Sequence, residues 1–468
     1  MDMSAKELSP IDVYKLLPRT NCKECGEENC MAFATRVVNR EIPLEECKPL
    51  LLEEHKDSYE KLKELLKPTI REVVIGIGDR AVKIGGELVM YRHEFTYMNP
   101  TAFIVAVDDE MSEEDLLKTA RAVEDFKYEY IGQVLKLDGI AVRSITREPE
   151  RFQTAVKSLI EKTDLPLVIC SFDPNVIEAG LVSAKDRRPL IYAANQDNWK
   201  EMADLALMYK CPLGVFAPNN IPLLRSLSKT LLEYGLEDLI LDPGTFKGKG
   251  LGDTVNNFTM IRRAACKEND ELLAFPLLGI PMIASLEKGD LTEKRWDESW
   301  LTSLLVARYA DIEIISDMEG WAILPDVVFR QNIYTDPRKP VAVDAVIKEI
   351  GNPNENSPVF MTTNFALTYY TVADDIERAG IDGFLLVIDT EGISVESAVA
   401  GRKLTADLVA EAIKEYGVEE KVKHRKLIIP GRASRLSGEI EDATKWEVLV
   451  GPLDSSGIPR FLQEKWAG

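Results

Sequence analysis

The sequence predicts an α/β protein in three parts. Between residues 100 and 316, short apolar strands alternate with amphipathic helical stretches, and a second, shorter series of the same kind begins near residue 340. Apolar strands that alternate with helices indicate parallel sheets covered by helices on both faces. Ahead of both series, four of the seven cysteines stand within the first 47 residues. These three observations predict a small cysteine-rich domain followed by two α/β domains.

The cysteine-rich segment has the spacing C-x2-C-x4-C-x16-C, formed by Cys22, Cys25, Cys30 and Cys47. In a reducing compartment, clustered thiols bind metal far more often than they form disulfides. Zinc prefers two C-x2-C pairs across a loop, whereas three close thiolates and one remote thiolate suit a cubane cluster. The spacing therefore favours a [4Fe–4S] cluster, with zinc as the alternative.

The segment after the cysteines predicts an amphipathic helix over residues 49–68 that ends near Pro68, which sets the first domain as residues 1–68. The runs REVVIGIG and AVKIGGELVMY then predict a hairpin over residues 71–91. Residues 76–81 match G-x-G-x-x-A, a dinucleotide fingerprint that requires a helix to begin at its glycines. Because the next run is β-branched and alternating, we reject that motif.

The second predicted domain, residues 69–335, is a (β/α)8 TIM-like barrel. Eight strand–helix units are the number that closes such a barrel. The strands are predicted in the runs AFIVAVD, DGIAVRSI, PLVICSF, PLIYAA, PLGVFA, DLILDPG, AFPLLGI and DIEIIS. Polar residues that end these strands, among them Asp108, Asn195, Asn219 and Asp242, are expected on the carboxyl-terminal face, where barrel enzymes bind ligands.

The third predicted domain, residues 336–468, is a small doubly wound (Rossmann-like) sheet with strands in SPVFMTT, GFLLVID, RKLIIPG and WEVLVGP. In such sheets ligands bind beyond the carboxyl ends of the strands. The residues there are small, hydroxylic or polar, which suits a large, flat ligand with a polar edge. They include Thr362, Thr363, Asn364, Glu391, Gly392, Gly431, Arg432, Gly451 and Pro452. The alternative for Thr363 or Asn364 is capping of the next helix.

The composition excludes several classes of partner. Lys and Arg number 57 against 78 Asp and Glu, a net charge of −21, and so acidic a surface repels nucleic acid and anionic membranes. No apolar run is long enough to span a bilayer. The chain opens MDMSAKELSPIDVYKLL, without the pattern of a secretory leader, so a cytoplasmic protein is expected.

Four stretches together resemble one family. They are SPIDVYKLLPRTNCKECGEENCMAFATRVV, VFMTTNFALTYY, and VIDTEGISVESAVAGRK with IIPGRASRLSGEIED. They resemble the large (gamma) subunit of the corrinoid iron–sulfur protein, part of the acetyl-CoA decarbonylase/synthase complex, and the resemblance covers essentially the whole chain. It implies a methyltransferase component whose corrinoid accepts, on Co(I), a methyl group from methylated tetrahydromethanopterin, tetrahydrosarcinapterin or tetrahydrofolate. The corrinoid then passes that group to the nickel–iron cluster of acetyl-CoA synthase.

The resemblance also implies roles for particular residues. The four cysteines would hold a [4Fe–4S] cluster that reactivates Co(II), and the third domain would bind the corrinoid. The implied corrinoid contacts are Thr362, Thr368, Gly392, Ile393, Ser394, Val395, Gly451 and Pro452. Ser397 would lie beneath cobalt, where related sequences tend to have threonine. None of His55, His93 and His424 lies in a D-x-H-x-x-G motif, which fits a base-off corrinoid without a protein ligand to cobalt.

The implied partners are a smaller barrel (delta) subunit in a heterodimer, the acetyl-CoA synthase subunit, a pterin methyltransferase or the methylated pterin itself, and a ferredoxin-type electron donor. Two other hypotheses remain. One is an electron-transfer or scaffold subunit with an iron–sulfur cluster but no corrinoid. The other is a self-sufficient pterin methyltransferase that uses the polar strand ends of the barrel.

Overall fold

The structure, a computed structural model, describes residues 8–286 and 288–466, and this part of the chain divides into two compact units. The first contains the residues up to Tyr128 together with Leu135–Thr335, and the second contains Glu129–Val134 together with the residues from Asp336 onward. The predicted outer bounds at residues 1 and 468 lie outside the described residues.

The N-terminal segment forms the helices α1 (Pro10–Leu16), α2 (Cys30–Val38) and α3 (Lys56–Leu65). These helices pack around Phe33, Leu50 and Leu62, and Cys30 and Cys47 belong to the same core. The helix predicted over residues 49–68 becomes regular only at Lys56, because Leu52 is extended and breaks the preceding stretch into short 3-10 turns. Its end just before Pro68 agrees with the prediction.

A hairpin closes the amino end of the barrel. Its strands β1 (Glu72–Ile75) and β2 (Val82–Gly85) are antiparallel, as predicted. Val73, Ile75 and Ile84 pack into the core inside the barrel, and the Gly76 amide donates to Arg188 O, just ahead of a barrel strand. A 3-10 turn at Gly78–Arg80 leads into β2, so no helix begins at the G-x-G-x-x-A glycines. The hairpin leaves the carboxyl-terminal face free for a site.

The barrel confirms the predicted α/β architecture. The strands from here to residue 335 are β3 (Ala102–Asp108), the short hairpin β4 (Tyr128–Tyr130) and β5 (Gln133–Leu135), β6 (Gly139–Arg143), β7 (Leu167–Cys170), β8 (Leu190–Ala194), β9 (Leu213–Phe216), β10 (Leu239–Asp242), β11 (Leu278–Gly279) and β12 (Ile312–Ile315). Within the described residues, the eight predicted strands form one sheet in the order β10-β9-β8-β7-β6-β3-β12-β11, and all its pairings are parallel. A bridge between Leu241 and Leu277 nearly closes the ring.

Helices surround this ring. They are α4 (Glu113–Asp125), α5 (Pro149–Ile160), α6 (Pro174–Ala184), α7 (Trp199–Tyr209), α8 (Ile221–Tyr234), α9 (Leu251–Glu268), α10 (Ile283–Leu286), α11 (Leu291–Val306) and α12 (Gly320–Tyr334). Along β12, Ile312 and Ile314 lie in the core inside the barrel, so Glu313 between them points outward toward the helices.

A buried ion pair joins α9 to the residue that precedes β12. Arg262 Nη2 lies 2.6 Å from Asp311 Oδ2, which also accepts a hydrogen bond from the Leu277 amide at 2.7 Å. Both charged side chains are only 2% exposed. We expect Arg262→Ala to destabilise the protein by about 3–5 kcal/mol, because it leaves a buried carboxylate without its counter-ion. Urea unfolding of the full chain measures this. Arg263→Ala, at an exposed neighbour, is the control, and an equal loss there would contradict the assignment.

The second unit contains a smaller sheet. Its strands are β13 (Ile347–Ile350), β14 (Val359–Thr363), β15 (Gly383–Ile388), β16 (Lys426–Ile429) and β17 (Glu447–Val450). Its helices are α13 (Ala366–Arg378), α14 (Val395–Ala400), α15 (Ala406–Glu415), α16 (Val418–Lys421), α17 (Ser437–Thr444) and α18 (Ile458–Lys465). The strand order is β13-β15-β14-β16-β17, and β13 is an antiparallel edge strand that the sequence did not predict.

Helices cover both faces of this sheet. Met361 and Leu386 pack into one core, while their neighbours Phe360 and Leu385 pack into another on the opposite face. From β14 the chain adds β15 on one side, and later adds β16 and β17 on the other side. The strand order therefore reverses between β14 and β16, which is the topological switch point where ligands bind in such sheets.

Candidate functional site

The four N-terminal cysteines line one small cavity. Cys22 is exposed and Cys25 half-buried, whereas Cys30 and Cys47 are buried. Cys30 is the first residue of α2, whose N-cap Asn29 accepts hydrogen bonds from the amides of Met31 and Ala32. Cys47 lies between two 3-10 turns. The remote fourth thiol of the sequence pattern is thus brought beside the three close ones.

The loop before α2 is held by Asn21. Its side-chain Oδ1 accepts a hydrogen bond from the Cys30 amide at 2.9 Å, and its own amide donates to Cys30 Sγ at 3.4 Å. Asn21 and Lys23 are left-handed, with φ of 49° and 65°. Asparagine tolerates that conformation better than most residues, because its short polar side chain bonds locally. Asn21 thereby fixes both the backbone and the sulfur of one cysteine.

The electrostatics of the cavity reflect the proximity of the thiols. Burial raises the pKa of the Cys47 thiol, and negative charge on Cys30, Cys25 and Cys22 raises that pKa further. Among the described residues, no group of three or more His, Cys, Asp or Glu side chains is spaced to hold a single metal ion. A cubane takes each of four thiolates on a different iron. Four thiols that line one cavity supply the soft sulfur donors that such a cluster takes.

Asn21→Ala is expected to weaken retention of iron. The substitution removes the acceptor for the Cys30 amide. Alanine also lacks the polar side chain whose local hydrogen bond stabilises the left-handed conformation at this position. A lost hydrogen bond of about 1 kcal/mol corresponds to roughly fivefold faster release of iron to a chelator. Asn21→Gly keeps the left-handed conformation without the acceptor, so its release rate should lie between those of the wild type and Asn21→Ala. Equal rates for all three proteins would show that Asn21 does not hold the site.

A cleft opens in the second unit at its topological switch point. Among the described residues, β14 and β16 are paired only at Phe360 and Ile428, so the two strands separate toward their carboxyl ends. The resulting cavity of about 390 Å³ is walled by strand ends, by α13 and by the start of α14. Phe360, Met361 and Ile428 supply apolar walls. A volume in this range is typical of ligand pockets.

Two hydroxyl groups at the end of β14 are buried without hydrogen-bond partners. Thr362 and Thr363 are both fully buried, and neither Oγ1 atom has a partner in the described structure. Thr362 lines the cleft. Buried polar groups are normally satisfied, so an orphaned hydroxyl beside a cavity indicates a missing hydrogen-bonding ligand.

Half of the predicted ligand-binding residues line this cleft. Those that do are Thr362, Thr368, Ser394, Val395, Arg432, Gly451 and Pro452. Those outside the cavity wall are Thr363, Asn364, Glu391, Gly392, Ile393, Ser397 and Gly431. Sequence reasoning missed Phe360, Met361, Leu367, Glu396, Ile428 and Leu453, which also line the cleft. The strand-interior residues among them carried no signal, because their exposure depends on how far β14 and β16 diverge.

Asn364 shapes the loop after β15. Its Oδ1 accepts hydrogen bonds from the amides of Thr390 and Gly392 at 3.0 and 2.9 Å, and its Nδ2 donates to Asp389 at 2.9 Å. The alternative in which Thr363 or Asn364 caps the next helix is wrong, because the N-cap of α13 is Phe365 and no side chain caps it. Asn364 therefore acts on the loop that leads to Ser394, not on α13.

Close packing explains why two of the predicted ligand-binding positions are occupied by glycine. Gly392 has a φ of 73°, and a Cβ there would lie 2.9 Å from Pro340 Cβ. At Gly431 a Cβ would lie 2.8 Å from Pro452 O. Ser397 is exposed, and its hydroxyl lies 3.4 Å from Ser394 Oγ. These residues support the wall of the cleft without forming part of it.

An ion pair lies in the lining of the cleft. Arg432, after β16, and Glu396, in α14, both line the cavity, and their Nη1 and Oε2 atoms are 2.6 Å apart. The histidines lie elsewhere, since none of the three is among the described residues that line the cleft. His424 Nδ1 accepts a hydrogen bond from the Lys426 amide, so Nε2 carries the proton and donates to Ser357 O at 2.8 Å. Both ring nitrogens of His424 are thus occupied.

The barrel mouth contains a separate apolar cavity of about 290 Å³. Asp242 lines it, but the Asp242 carboxylate accepts hydrogen bonds from Tyr192 Oη at 2.6 Å and from the Gly244 amide at 2.7 Å. Burial raises the pKa of Asp242 to about 6. The other predicted polar residues bond internally: Asp108 to Arg143, Asn219 to Asn257, and Asn195 to the amide of Asp197. The four side chains therefore do not form one shared polar site.

Two family models match the chain. One, described as "CO dehydrogenase/acetyl-CoA synthase delta subunit", covers residues 72–462, and one described as "Putative Fe-S cluster" covers residues 17–49. The acetyl-CoA decarbonylase/synthase complex subunit gamma of Methanothermobacter thermautotrophicus is 45% identical over 98% of this chain and 99% of its own length. Subunit gamma 2 of Methanosarcina thermophila is 47% identical over 98% of both chains.

This chain belongs to the gamma-subunit family of the acetyl-CoA decarbonylase/synthase complex. The resemblance seen in the sequence is thereby confirmed. The gamma-subunit relatives align along nearly the whole chain, including the N-terminal segment that the delta-subunit model leaves uncovered. The match over residues 17–49 contains all four clustered cysteines, which supports an iron–sulfur cofactor in this gamma-family chain.

Solved structures add little to the description of this gamma-family chain. A dihydropteroate synthase from Xanthomonas albilineans is 15% identical, with a TM-score of 0.40 over 57% of this chain and 100% of that chain. A score this low carries no functional information.

In the part of the chain that the structure describes, no helix is both long enough and apolar enough to cross a membrane.

Proposed function

We propose that this chain is a corrinoid-dependent methyl carrier, a methyltransferase component of its complex. The observation that carries the proposal is the cleft at the switch point of the second unit of a gamma-family chain, where the lining includes Thr362, whose buried hydroxyl has no hydrogen-bond partner. When bound, the corrinoid supplies a cobalt atom that accepts a methyl group from a methylated tetrahydropterin and gives it up to the nickel–iron cluster of acetyl-CoA synthase.

The residues of the cleft fit one part of such a cofactor. Phe360, Met361 and Ile428 offer an apolar surface to a flat ring, and Thr368, a half-buried residue of the lining, is the proposed hydrogen-bond partner for an amide at its edge. A corrinoid is larger than the cavity, so the cleft covers only part of it. The remaining surface is then left for the smaller barrel (delta) subunit, the implied partner.

None of the histidines among the described residues lines the cleft. The ring nitrogens of His424 are both engaged, and the described lining of the cleft contains no imidazole. The proposed lower face of the cofactor therefore meets a lining that is mostly hydroxylic and apolar, apart from Glu396, Arg432 and Asp454. Ser397, which is exposed one turn into α14, is the proposed neighbour of that face, and the support for it is its bond to Ser394 at the cavity wall.

The N-terminal cysteines are proposed to hold a [4Fe–4S] cluster. Four thiols in one cavity, two of them buried, supply the soft ligands that iron–sulfur clusters require. Cys22, the exposed thiol, is on the side that a ferredoxin-type donor can approach. The acetyl-CoA synthase subunit and either the methylated pterin or a pterin methyltransferase are the other proposed partners.

Absorption and electron paramagnetic resonance spectra of the anaerobically purified full chain test the proposal. A bound corrinoid gives bands that change on reduction and on methylation, and a reduced [4Fe–4S] cluster gives its own resonance. A chain that carries the cluster but takes up no corrinoid when the smaller subunit is also present would support the electron-transfer or scaffold alternative. Stoichiometric zinc in place of iron would overturn the cluster assignment.

A further inference from the structure

Two exposed tryptophans line a groove on the outside of the barrel. Trp296 and Trp321 are 63% and 46% exposed, and no other tryptophan in the described part of the chain is classed as exposed. Both line one cavity of about 370 Å³, together with Thr292, Glu293 and Asp297. Large aromatic side chains are costly to leave in water, so their pairing at one groove indicates a binding surface.

The groove is built on two packed helices. Trp296 lies in α11 and Trp321 near the start of α12. Beside the groove, Arg295 Nε lies 2.5 Å from Asp317 Oδ2, just ahead of α12, and Ser299 Oγ donates to Ala322 O at 2.9 Å. These contacts fix the start of α12 against α11. The two indoles therefore stand on a preformed framework and not on a free loop.

The charge of the groove is negative. Asp297 is neutralised by Lys247, whose Nζ lies 2.9 Å from Oδ2, and it also accepts a hydrogen bond from the Trp300 indole at 3.2 Å. Glu293 has no ion-pair partner among the described residues. The groove thus combines two indole surfaces with one uncompensated carboxylate. That combination attracts a cation, because the faces of aromatic rings are negative.

We propose that this groove is a docking site for an arginine side chain presented by a partner protein. A guanidinium is planar and weakly hydrated, so it stacks on indoles and at the same time bonds to a carboxylate, which the compact and strongly hydrated ammonium of lysine does less well. A second copy of this chain is disfavoured as the occupant, since each copy carries a net charge of −21. The partner is thus a protein with a basic surface.

Photo-crosslinking identifies the occupant directly. The full chain with p-benzoylphenylalanine in place of Trp296 is assembled with the other subunits of its complex, irradiated and digested. We expect a crosslinked peptide from another subunit with an arginine within a few residues of the attachment point. Crosslinks only to a second copy of this chain, only to segments without arginine, or to nothing in an assembled complex would each overturn the proposal. The same crosslinker at Met208, a 68% exposed residue of α7, is the control for random capture.

Affinity measurements separate the two components of the groove. Trp321→Ser and Glu293→Gln are each expected to weaken binding of that subunit at least tenfold, and only the Glu293 variant should also reduce its dependence on salt. Met208→Ser is the matched exposed substitution and should leave the affinity unchanged. Unchanged affinity in both groove variants would overturn the proposal. The methyl-carrier proposal is tested separately, because the corrinoid spectrum of the isolated chain does not depend on this surface.

Discussion

Replacing Cys25 with alanine is expected to abolish iron binding while leaving the cleft of the second unit intact. The remaining thiols supply only three ligands, and a [4Fe–4S] cluster needs one for each iron. Because the cysteine segment and the cleft belong to different units, loss of one leaves the fold of the other. We expect the iron content to fall to background, and corrinoid uptake to equal that of the wild type.

The functional consequence of Cys25→Ala is selective. Methyl transfer by protein reduced with a chemical reductant should remain near the wild-type rate, whereas reactivation of oxidised protein by reduced ferredoxin should be lost. Cys211→Ala, which removes a buried thiol of the barrel outside the cysteine motif, is the control and should retain both iron and reactivation. Reactivation by ferredoxin that persists in the Cys25 variant would show that the electrons take another route.

Thr368→Trp is expected to prevent corrinoid binding. Thr368 lies on α13 and lines the cleft, so an indole there occupies space that the ligand needs. Overpacking of a preformed cavity costs ~2 kcal/mol or more, which weakens binding at least about thirtyfold. Equilibrium titration of the full chain with corrinoid, followed by absorption, measures the change.

Glu377→Trp is the matched control for this variant. Glu377 lies on the same helix, is exposed and does not line the cleft, so the same side chain is introduced without filling the cavity. Its corrinoid affinity should equal that of the wild type, and its iron content should be unchanged in both variants. If Thr368→Trp binds corrinoid as tightly as Glu377→Trp does, the cofactor does not occupy this cleft.

The barrel was predictable because most of its strands are short, continuous apolar runs. Runs such as AFIVAVD are buried on both faces, and their shortness and their regular alternation with helical stretches are typical of a parallel sheet. The edge strand Ile347–Ile350 was missed because half-exposed IKEI resembles a loop. The helix predicted over residues 49–68 was too long, since the extended conformation of Leu52 follows from the burial of Leu50 beside Cys47, a tertiary effect.

The cleft was predictable only in outline. Strand ends such as Thr362 and Gly451 could be located from the strand pattern, because parallel strands end at one edge of the sheet. Phe360 and Ile428 could not, since they reach the cavity only where their strands separate after a single pairing. Asn364 was predicted to bind the ligand. In the structure its side chain holds the loop after β15 through a hydrogen bond to Thr390, a residue 26 positions away in the sequence.

The unequal access of the four thiols to solvent sets where oxidative damage begins. Cys22 stands at the surface, whereas Cys47 is only 6% exposed. With the proposed cluster in this cavity, the opening that lets a reductant come within tunnelling range also admits dioxygen, so we expect oxidation to start at the Cys22 corner and to reach the Cys47 corner last.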